Sequence, residues 1–434
     1  MRPASPRRCR VLELGCGDGA NLIGMAVAAP RSEFVGVDLA AEPIAHGTAE
    51  AGALGLANVR LLQGDVAALP DGLGRFDYVI AHGLYSWVPL PVRDGLLAAA
   101  RTLLAPHGVA YVSYNAYPGS YVRDMARDVL RFHIERLDDP AERISQARAL
   151  MELIVAANRE PALADYMRRL LARPDWSVFH DELAEVNTPV YFHEFAAHAG
   201  RHGLRFLAEA HLGDSRLQGL PAEVEAQLAQ LPDDVLVREQ YIDFVANRMF
   251  RQTLLCHAAA PVRRELHVED LLGLWVSSPA IPEPGADLDG ADPVTFALRG
   301  GERVETADPA FKRLLARLGA AWPAAVPVSE LGGDRPQRVG EALLEAHAER
   351  IVDLHVEPPP VRATVSERPV ASPLARRQAA AGRPLVTSLL HDELRIDELG
   401  ARGLLASLDG TRSREEIGAD ATLEQLARLG LLSI

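Results

Sequence analysis

Val11-Leu12-Glu13-Leu14-Gly15-Cys16-Gly17-Asp18-Gly19-Ala20-Asn21 runs an apolar strand into a glycine-rich turn, and a helix follows at once. Glycines there let the backbone take φ > 0 and approach a ligand closely, with a helix N-terminus behind them. Outward from this stretch, Phe34-Val35-Gly36-Val37-Asp38 reads as a second apolar strand. It ends in an acid about 20 residues after the loop, where a carboxylate accepts ribose hydroxyls. Val59 to Asp65 reads as a third strand, Phe76 to His82 as a fourth and Gly108 to Asn115 as a fifth. Helical stretches rich in Ala and Leu lie between them, Val92 to Leu104 among them. Strands alternating with helices at this spacing predict an α/β fold: a Rossmann-like, doubly wound parallel sheet with its ligand at the strands' carboxyl ends.

The loop alone does not choose the ligand, because Gly15-x-Gly17-x-x-Ala20 also fits the dinucleotide fingerprint. Three neighbouring features break the tie. Glu13 stands two residues before the first glycine, where it can hold the ammonium of an amino-acid-bearing cofactor. Gly19 completes E-x-G-x-G-x-G, a pattern that resembles class I methyltransferases. Gly64-Asp65-Val66 ends the third strand, where those enzymes bind adenine. The resemblance implies a pocket for S-adenosylmethionine (SAM). Its expected cofactor-binding residues are Glu13, Gly15, Cys16, Gly17, Asp18, Gly19 and Asn21 in and around the loop, and Asp38 and Leu39 after the second strand. Asp65 and Val66 follow the third strand, and His82, Ser86 and Trp87 the fourth. Cys16 reads as a small residue packed inside the loop rather than a catalytic thiol. Glu13, Gly19 and Gly64-Asp65 count against a dehydrogenase.

Composition fits a soluble enzyme, expected to be cytoplasmic. The chain has 434 residues, enough for two to four domains, and a net charge of −14. It carries no basic block or aromatic-basic stripe, so nucleic acid is not the expected partner. No apolar run approaches the ~18–20 residues that span a bilayer, and the basic N-terminus lacks the apolar core of a signal peptide. Three cysteines, Cys9, Cys16 and Cys256, are too few and too scattered for a disulfide framework or a zinc site. No metal-spaced cluster stands out, and none is expected: His193 and His198 lie five apart, off a common helix face. Lys312 is the only lysine in the chain.

The middle of the chain is helical. Val122, Met125, Val129 and Phe132 recur at i, i+3 or i+4, the stripe of an amphipathic helix, and helical character continues to about Leu171. Val190 to His202 reads as another helix, ended by Gly203, and Leu204 to Ala210 as a strand at which the sheet resumes. Residues 116–185 are thus expected to form a helical insertion over the site, acting either as a lid or as a scaffold or dimer surface; a homodimer stays open. Farther on, Pro279 to Pro293 is turn-rich. Val294–Leu298 and Arg303–Thr306 flank Gly300-Gly301 as a hairpin, and helices are expected over Pro309–Leu318 and Val339–Ile351. The proline-rich run Glu357–Pro373 reads as a linker.

Several long segments resemble the methyltransferase regulatory domain family: Phe179–Asn187, Pro189–Phe195, His202–Ala210, Gln240–Phe244 and Asn247–Cys256. His82–Pro89 and Tyr114–Gly119 are similar to the same proteins. Its members include bacterial protein-lysine methyltransferases of the rickettsial type. Leu404–Ser413 and Leu423–Leu432 resemble the winged-helix pieces of that family's tail. Winged helices can bind DNA, but the acidic balance favours a protein-docking or dimer role. The implied organisation is a SAM-binding core over 1–215, a regulatory region over 175–260 overlapping it, an α+β winged-helix-like domain over 261–356, and a C-terminal winged-helix-like domain over 374–434. Only about ten residues, Met1 to Arg10, precede the first strand, whereas the family carries elements there that cover one sheet face and close over SAM. Apolar strand residues and cofactor are therefore expected to stay exposed unless another part or a partner covers them. Either translation starts upstream, or SAM binding is weakened.

The resemblance implies methyl transfer to a protein lysine. A lysine amine, with a reference pKa near ~10.4, must lose its proton before attack, and a partly apolar aromatic channel eases that loss. The expected catalytic residues lie at the ends of the fourth and fifth strands. Tyr85 and Tyr117 would line the amine channel, Asn115 would hold the substrate, and Tyr114 lies beside them. The Asn/Asp-Pro-Pro-Tyr motif of methyltransferases acting on bases or glutamine is absent after the fourth strand. A small-molecule N- or O-methyltransferase and a SAM-binding regulator with weak or no turnover are the alternatives.

Overall fold

Burial on both faces dictates the centre of the molecule. In β1 (Arg10–Leu14), Val11, Leu12 and Leu14 are all buried, as expected for a strand covered on both sides in a parallel sheet. β2 (Glu33–Asp38), β3 (Val59–Gln63), β4 (Phe76–Ala81) and β5 (Leu104–Asn115) join it in parallel. The computed structural model describes residues 3–215, 221–333, 336–397 and 399–433. β6 (Leu204–Glu209) and β7 (Phe250–His257) complete a seven-stranded sheet of order β3-β2-β1-β4-β5-β7-β6, in which β7 runs antiparallel to both neighbours. The sheet therefore ends at His257. The sheet thus runs past residue 215, where the core was expected to end with the regulatory region overlapping it, because that region contributes both β6 and β7.

α1 (Ala20–Ala28) and α2 (Ala41–Ala53) take one face of the sheet, and α3 (Leu90–Leu103) and α8 (Phe192–Arg201) take the other. Between β5 and α8 lie α4 (Tyr121–Ile134), α5 (Pro140–Ala157), α6 (Pro161–Leu171) and α7 (Asp175–Glu182), the expected insertion, with its own core. The stripe predicted for α4 is rotated. Ala126, Leu130 and Ile134 are buried, while Met125 and Phe132 are exposed. Apolar periodicity found the helix but chose the wrong face, because small Ala126 and Arg127, whose guanidinium donates to the Asp181 and Ala184 carbonyls, face inward.

α9 (Ala222–Leu228) and α10 (Val235–Ala246) precede β7. Arg251 of β7 is buried among three carboxylates, Glu209 at 2.6 Å, Asp243 at 2.8 Å and Glu239 at 3.0 Å, with its guanidinium over the Phe192 ring. Burial raises the pKa values of Glu209 and Asp243 and the guanidinium lowers them, burial being the larger effect.

Two smaller units follow. The first holds β8 (Trp275–Ser277), β9 (Ile281–Pro282), β10 (Val294–Ala297), β11 (Arg303–Thr306), α11 (Pro309–Ala321), β12 (Val326–Pro327), α12 (Pro336–Ala348) and β13 (Asp353–His355) around one core. The hairpin expected across Gly300-Gly301 is β10–β11. The second holds α13 (Pro373–Ala380), β14 (Leu385–Thr387), β15 (Glu393–Arg395), α14 (Leu399–Ser407), α15 (Arg414–Ile417) and α16 (Asp420–Arg428). It docks back on the core: Leu374 packs with Ile23 and Ala51, and Arg377 pairs with Glu50 at 2.8 Å.

On the α1 side, residues of β4, β5 and β7 face an open trough. It has a volume of about 1100 Å³ and runs along Val11, Tyr78, Ile80, Tyr111 and Leu254. The chain itself borders it: Pro3 to Cys9 and residues 354–360 line the trough, and Ser5 and Arg7 both engage Glu357. The sheet face expected to lie bare is thus partly bordered by the molecule's own linker.

Candidate functional site

The glycine loop closes tightly at the end of β1. Gly15, Gly17 and Gly19 all have φ between 57° and 75°, a region that side chains with a Cβ seldom occupy. α2 presses on the loop from outside, since a Cβ at Gly47 would stand 1.8 Å from the Asp18 carbonyl oxygen. Asp38 secures the loop: its carboxylate accepts from the Gly17 amide at 2.8 Å and from Ala40 at 2.9 Å. Asp18 and Asp65 each accept a backbone amide two residues on, ordering the turns they sit in. Leu39 projects into solvent beside Asp38. Cys16 packs against Gly36, and burial raises its thiol to about 12, in keeping with a packing role.

Glu13 is the unusual member. It is 5% exposed, and one carboxylate oxygen accepts from Asn21 at 3.0 Å. The other oxygen is buried without a protein partner. Burial lifts its pKa to about 7, the Asn21 hydrogen bond opposing. An orphaned, buried carboxylate oxygen at the head of a glycine loop suits an ammonium group, so the residues here fit the amino-acid end of SAM. His82 borders the same region, contacting the Tyr111 hydroxyl at 2.9 Å, and burial lowers its pKa.

Beyond β4 several expectations need correcting. Tyr85 is 2% exposed, and its hydroxyl meets His198 Nδ1 at 2.8 Å, inside the packing between α3 and α8. Tyr114 is fully buried, stacked on Phe195 at 4.1 Å with its hydroxyl on Thr253. Neither lines a channel, because both point to the core face of the sheet. Ser86 is buried and accepts the Asn115 amide. Val66 packs into the main apolar core. Trp87 lies beneath the guanidiniums of Arg123 and Arg127, so its ring seats the insertion.

Asn115 and Tyr117 do lie where strand β5 meets the insertion. Asn115 donates to Asn187 at 2.8 Å and accepts from Arg123 at 3.2 Å, and Arg123 also pairs with buried Glu182 at 3.1 Å. The Asn187 amide nitrogen is buried without a protein partner. Tyr117 stacks on Tyr121 at 4.4 Å and leans on Tyr191 at 5.4 Å, while its hydroxyl donates to Asp124 at 2.6 Å. Burial and then Asp124 push the phenol well above its usual pKa, keeping it a neutral donor. The sequence reading missed Tyr121, Asp124, Asn187 and Tyr191 as members of this wall. Tyr191 and Asn187 stood within quoted family segments, whereas nothing local to Tyr121 or Asp124 marks them.

Comparison with known proteins places these features. Residues 11–108 match the family described as a methyltransferase domain, and 174–257 match the predicted methyltransferase regulatory domain. Residues 367–432 match the PKMT C-terminal winged helix domain. The structure of PKMT2 from Rickettsia typhi superposes with a TM-score of 0.87 at 26% identity, covering 100% of this chain and 95% of that one. The chain belongs to the class I methyltransferases of the rickettsial PKMT type. PKMT2 has also been solved in complex with AdoHcy. Among curated relatives, Rickettsia prowazekii protein RP789 is 35% identical over 318 residues, covering 70% of this chain and 57% of that protein. RP028 of the same organism is 32% identical over 213 residues, covering 48% of this chain and 85% of that protein. This PKMT-type chain thus spans little more than half the length of RP789. Its fold is the Rossmann-like methyltransferase sheet, with a winged-helix C-terminus. No described helix is long and apolar enough to cross a membrane.

Proposed function

We propose that the protein transfers a methyl group from SAM to a lysine side chain of another protein. The single observation that carries this reading is the end-to-end correspondence with PKMT2 of Rickettsia typhi, insertion and winged-helix tail included. SAM, when bound, supplies an activated methyl on its sulfonium: the amine nitrogen forms the new N–C bond, the S–C bond breaks, and AdoHcy leaves.

The chain's own residues bind and orient. Glu13 holds the cofactor ammonium, the Gly15–Gly19 turn lets the backbone come close, and Asp38 takes ribose hydroxyls with the lone pairs that Gly17 and Ala40 leave free. Asp65 and exposed Leu39 flank the adenine side. Tyr117, Tyr121 and Tyr191 form an aromatic wall that draws a lysine stem out of water and disfavours its charged form. Asp124, accepting from Tyr117, fixes that ring, and the Asn115–Asn187 pair offers an amide to the incoming chain. A cytoplasmic setting and the absence of nucleic-acid binding belong to this proposal, as does a lysine-bearing protein as partner.

The test uses SAM carrying a labelled methyl and bacterial lysate proteins as acceptors, with mass spectrometry locating the label. Self-methylation on lysine leaves no background, because the chain's one lysine, Lys312, is buried with its ammonium on the carbonyls of Asp287, Gly290 and Asp292. Label on lysine, strongly reduced in Asp38→Ala at limiting SAM, is the expected outcome. Label confined to small molecules or to other residue types would refute the lysine assignment.

A further inference from the structure

Away from the cofactor cleft, α3 and α8 bring three ligating side chains together. Asp94 comes from α3; His198 and His202 stand one turn apart at the end of α8. The Asp94 carboxylate oxygen lies 2.8 Å from His198 Nε2 and 3.1 Å from His202 Nε2, and the three ligand atoms all fall within 4.8 Å of one another. Imidazoles at i and i+4 on one helix face, with a carboxylate from a facing helix, are a donor set for a divalent transition ion. A tetrahedral zinc centre with bonds of ~2.0–2.1 Å separates neighbouring ligand atoms by roughly 3.3 Å. The two carboxylate–imidazole distances lie within about 0.5 Å of that spacing.

His198 is buried, whereas His202 and Asp94 are partly open to solvent, which leaves a fourth position for water. His198 has the outer partner a ligand histidine needs. Its Nδ1 meets the Tyr85 hydroxyl at 2.8 Å, fixing the ring so that Nε2 faces Asp94. Arg201 faces the same ring, and Arg93 lies over Tyr85; both repel a cation and limit its affinity.

We propose that Asp94, His198 and His202 form a Zn²⁺ site that clips α3 to α8 behind Tyr85. Binding takes His198 Nε2 for the ion, and the single proton of the neutral ring moves to Nδ1, directed at the Tyr85 oxygen. His198 thus changes tautomer without net release, and any extra proton that His202 carried beforehand is released.

The full chain, stripped of metal, is titrated with Zn²⁺ by calorimetry in two buffers of different ionisation enthalpy, and with Co²⁺ by visible absorption. One equivalent should bind, with proton release no larger than the charge the imidazoles carried beforehand, and with the intense d–d bands of low-coordinate Co²⁺ lacking a thiolate charge-transfer band. Saturating Zn²⁺ should also raise the melting midpoint. His202→Gln, at a partly exposed position, and Asp94→Asn should each weaken binding about tenfold or more, while keeping the metal-free melting behaviour close to the parent. Absence of saturable binding, affinity unchanged in both variants, or a thiolate band that places the ion on a cysteine would each overturn the assignment.

Discussion

An ionised Glu13 faces the desolvation penalty that its raised pKa expresses, since one oxygen has only Asn21 and the other has no protein partner. Its folded pKa of about 7 lies above the ordinary carboxylate value, so the folded chain binds the extra proton. Unliganded stability contributed here is present at low pH and is lost as pH rises toward 7. An ammonium beside Glu13 reverses the preference and expels that proton. SAM affinity should accordingly rise with pH, approaching about tenfold per unit below pH 7 and levelling above it. Glu13→Gln should flatten this profile and bind more weakly, as read by calorimetry; an unchanged slope would remove Glu13 from the site. Asp38→Ala should weaken SAM binding by about 10–100-fold, the worth of hydrogen bonds to a charged group of ~1.5–3 kcal/mol. Part of that loss comes through the loop, because Gly17 loses its acceptor.

At the level of elements, Arg251 ties β7 to β6 through Glu209 and to α10 through Glu239 and Asp243. Arg251→Met leaves those carboxylates buried without their cation and should destabilise the fold by about 3–5 kcal/mol at neutral pH. The deficit should shrink as pH falls and the carboxylates protonate, a trend denaturant titrations at pH 7 and pH 5 would reveal. A deficit independent of pH would mean that packing on Phe192, not charge, governs the position. The elements also mark what could be read from the chain. β1 to β5 were legible because unbroken apolar runs ending in Gly, Asp or Asn are the signature of strands buried on both faces. β7 escaped as a strand because Arg251, Gln252 and Thr253 interrupt its apolar run, and their partners lie on distant segments. The cofactor loop was legible for a similar local reason: its geometry is encoded in consecutive glycines. The cluster of Tyr117, Tyr121 and Tyr191 assembles across about seventy residues of sequence, and strand-end position alone could not separate Tyr117, which stacks on the insertion, from Tyr85 and Tyr114, which face the core. Asp94, His198 and His202 were invisible for the same reason, since the histidine pair compared in the sequence was the wrong one.

For the whole molecule, the informative contact is the return of the C-terminal domain onto the cofactor-binding half. Leu374 is buried between that domain and Ile23 and Ala51 of α1 and α2. Leu374→Asp should cost about 2–4 kcal/mol, through lost burial and a desolvated charge. Arg377→Ala breaks only a half-exposed pair with Glu50 and should cost less than about 1 kcal/mol. Equal losses in chemical unfolding would show that the joint is not held by its apolar contact. The position of β7 between β5 and β6 has a consequence for synthesis. β5 leaves the ribosome early, yet the strand that pairs with its open side, Phe250–His257, is made only after the whole insertion. At about 5–20 residues per second, the nascent sheet waits several seconds with a bare apolar edge. Such an edge is a template for any neighbouring strand, so the newborn chain is a natural client for a chaperone that shields β5 while the helices of the insertion collect.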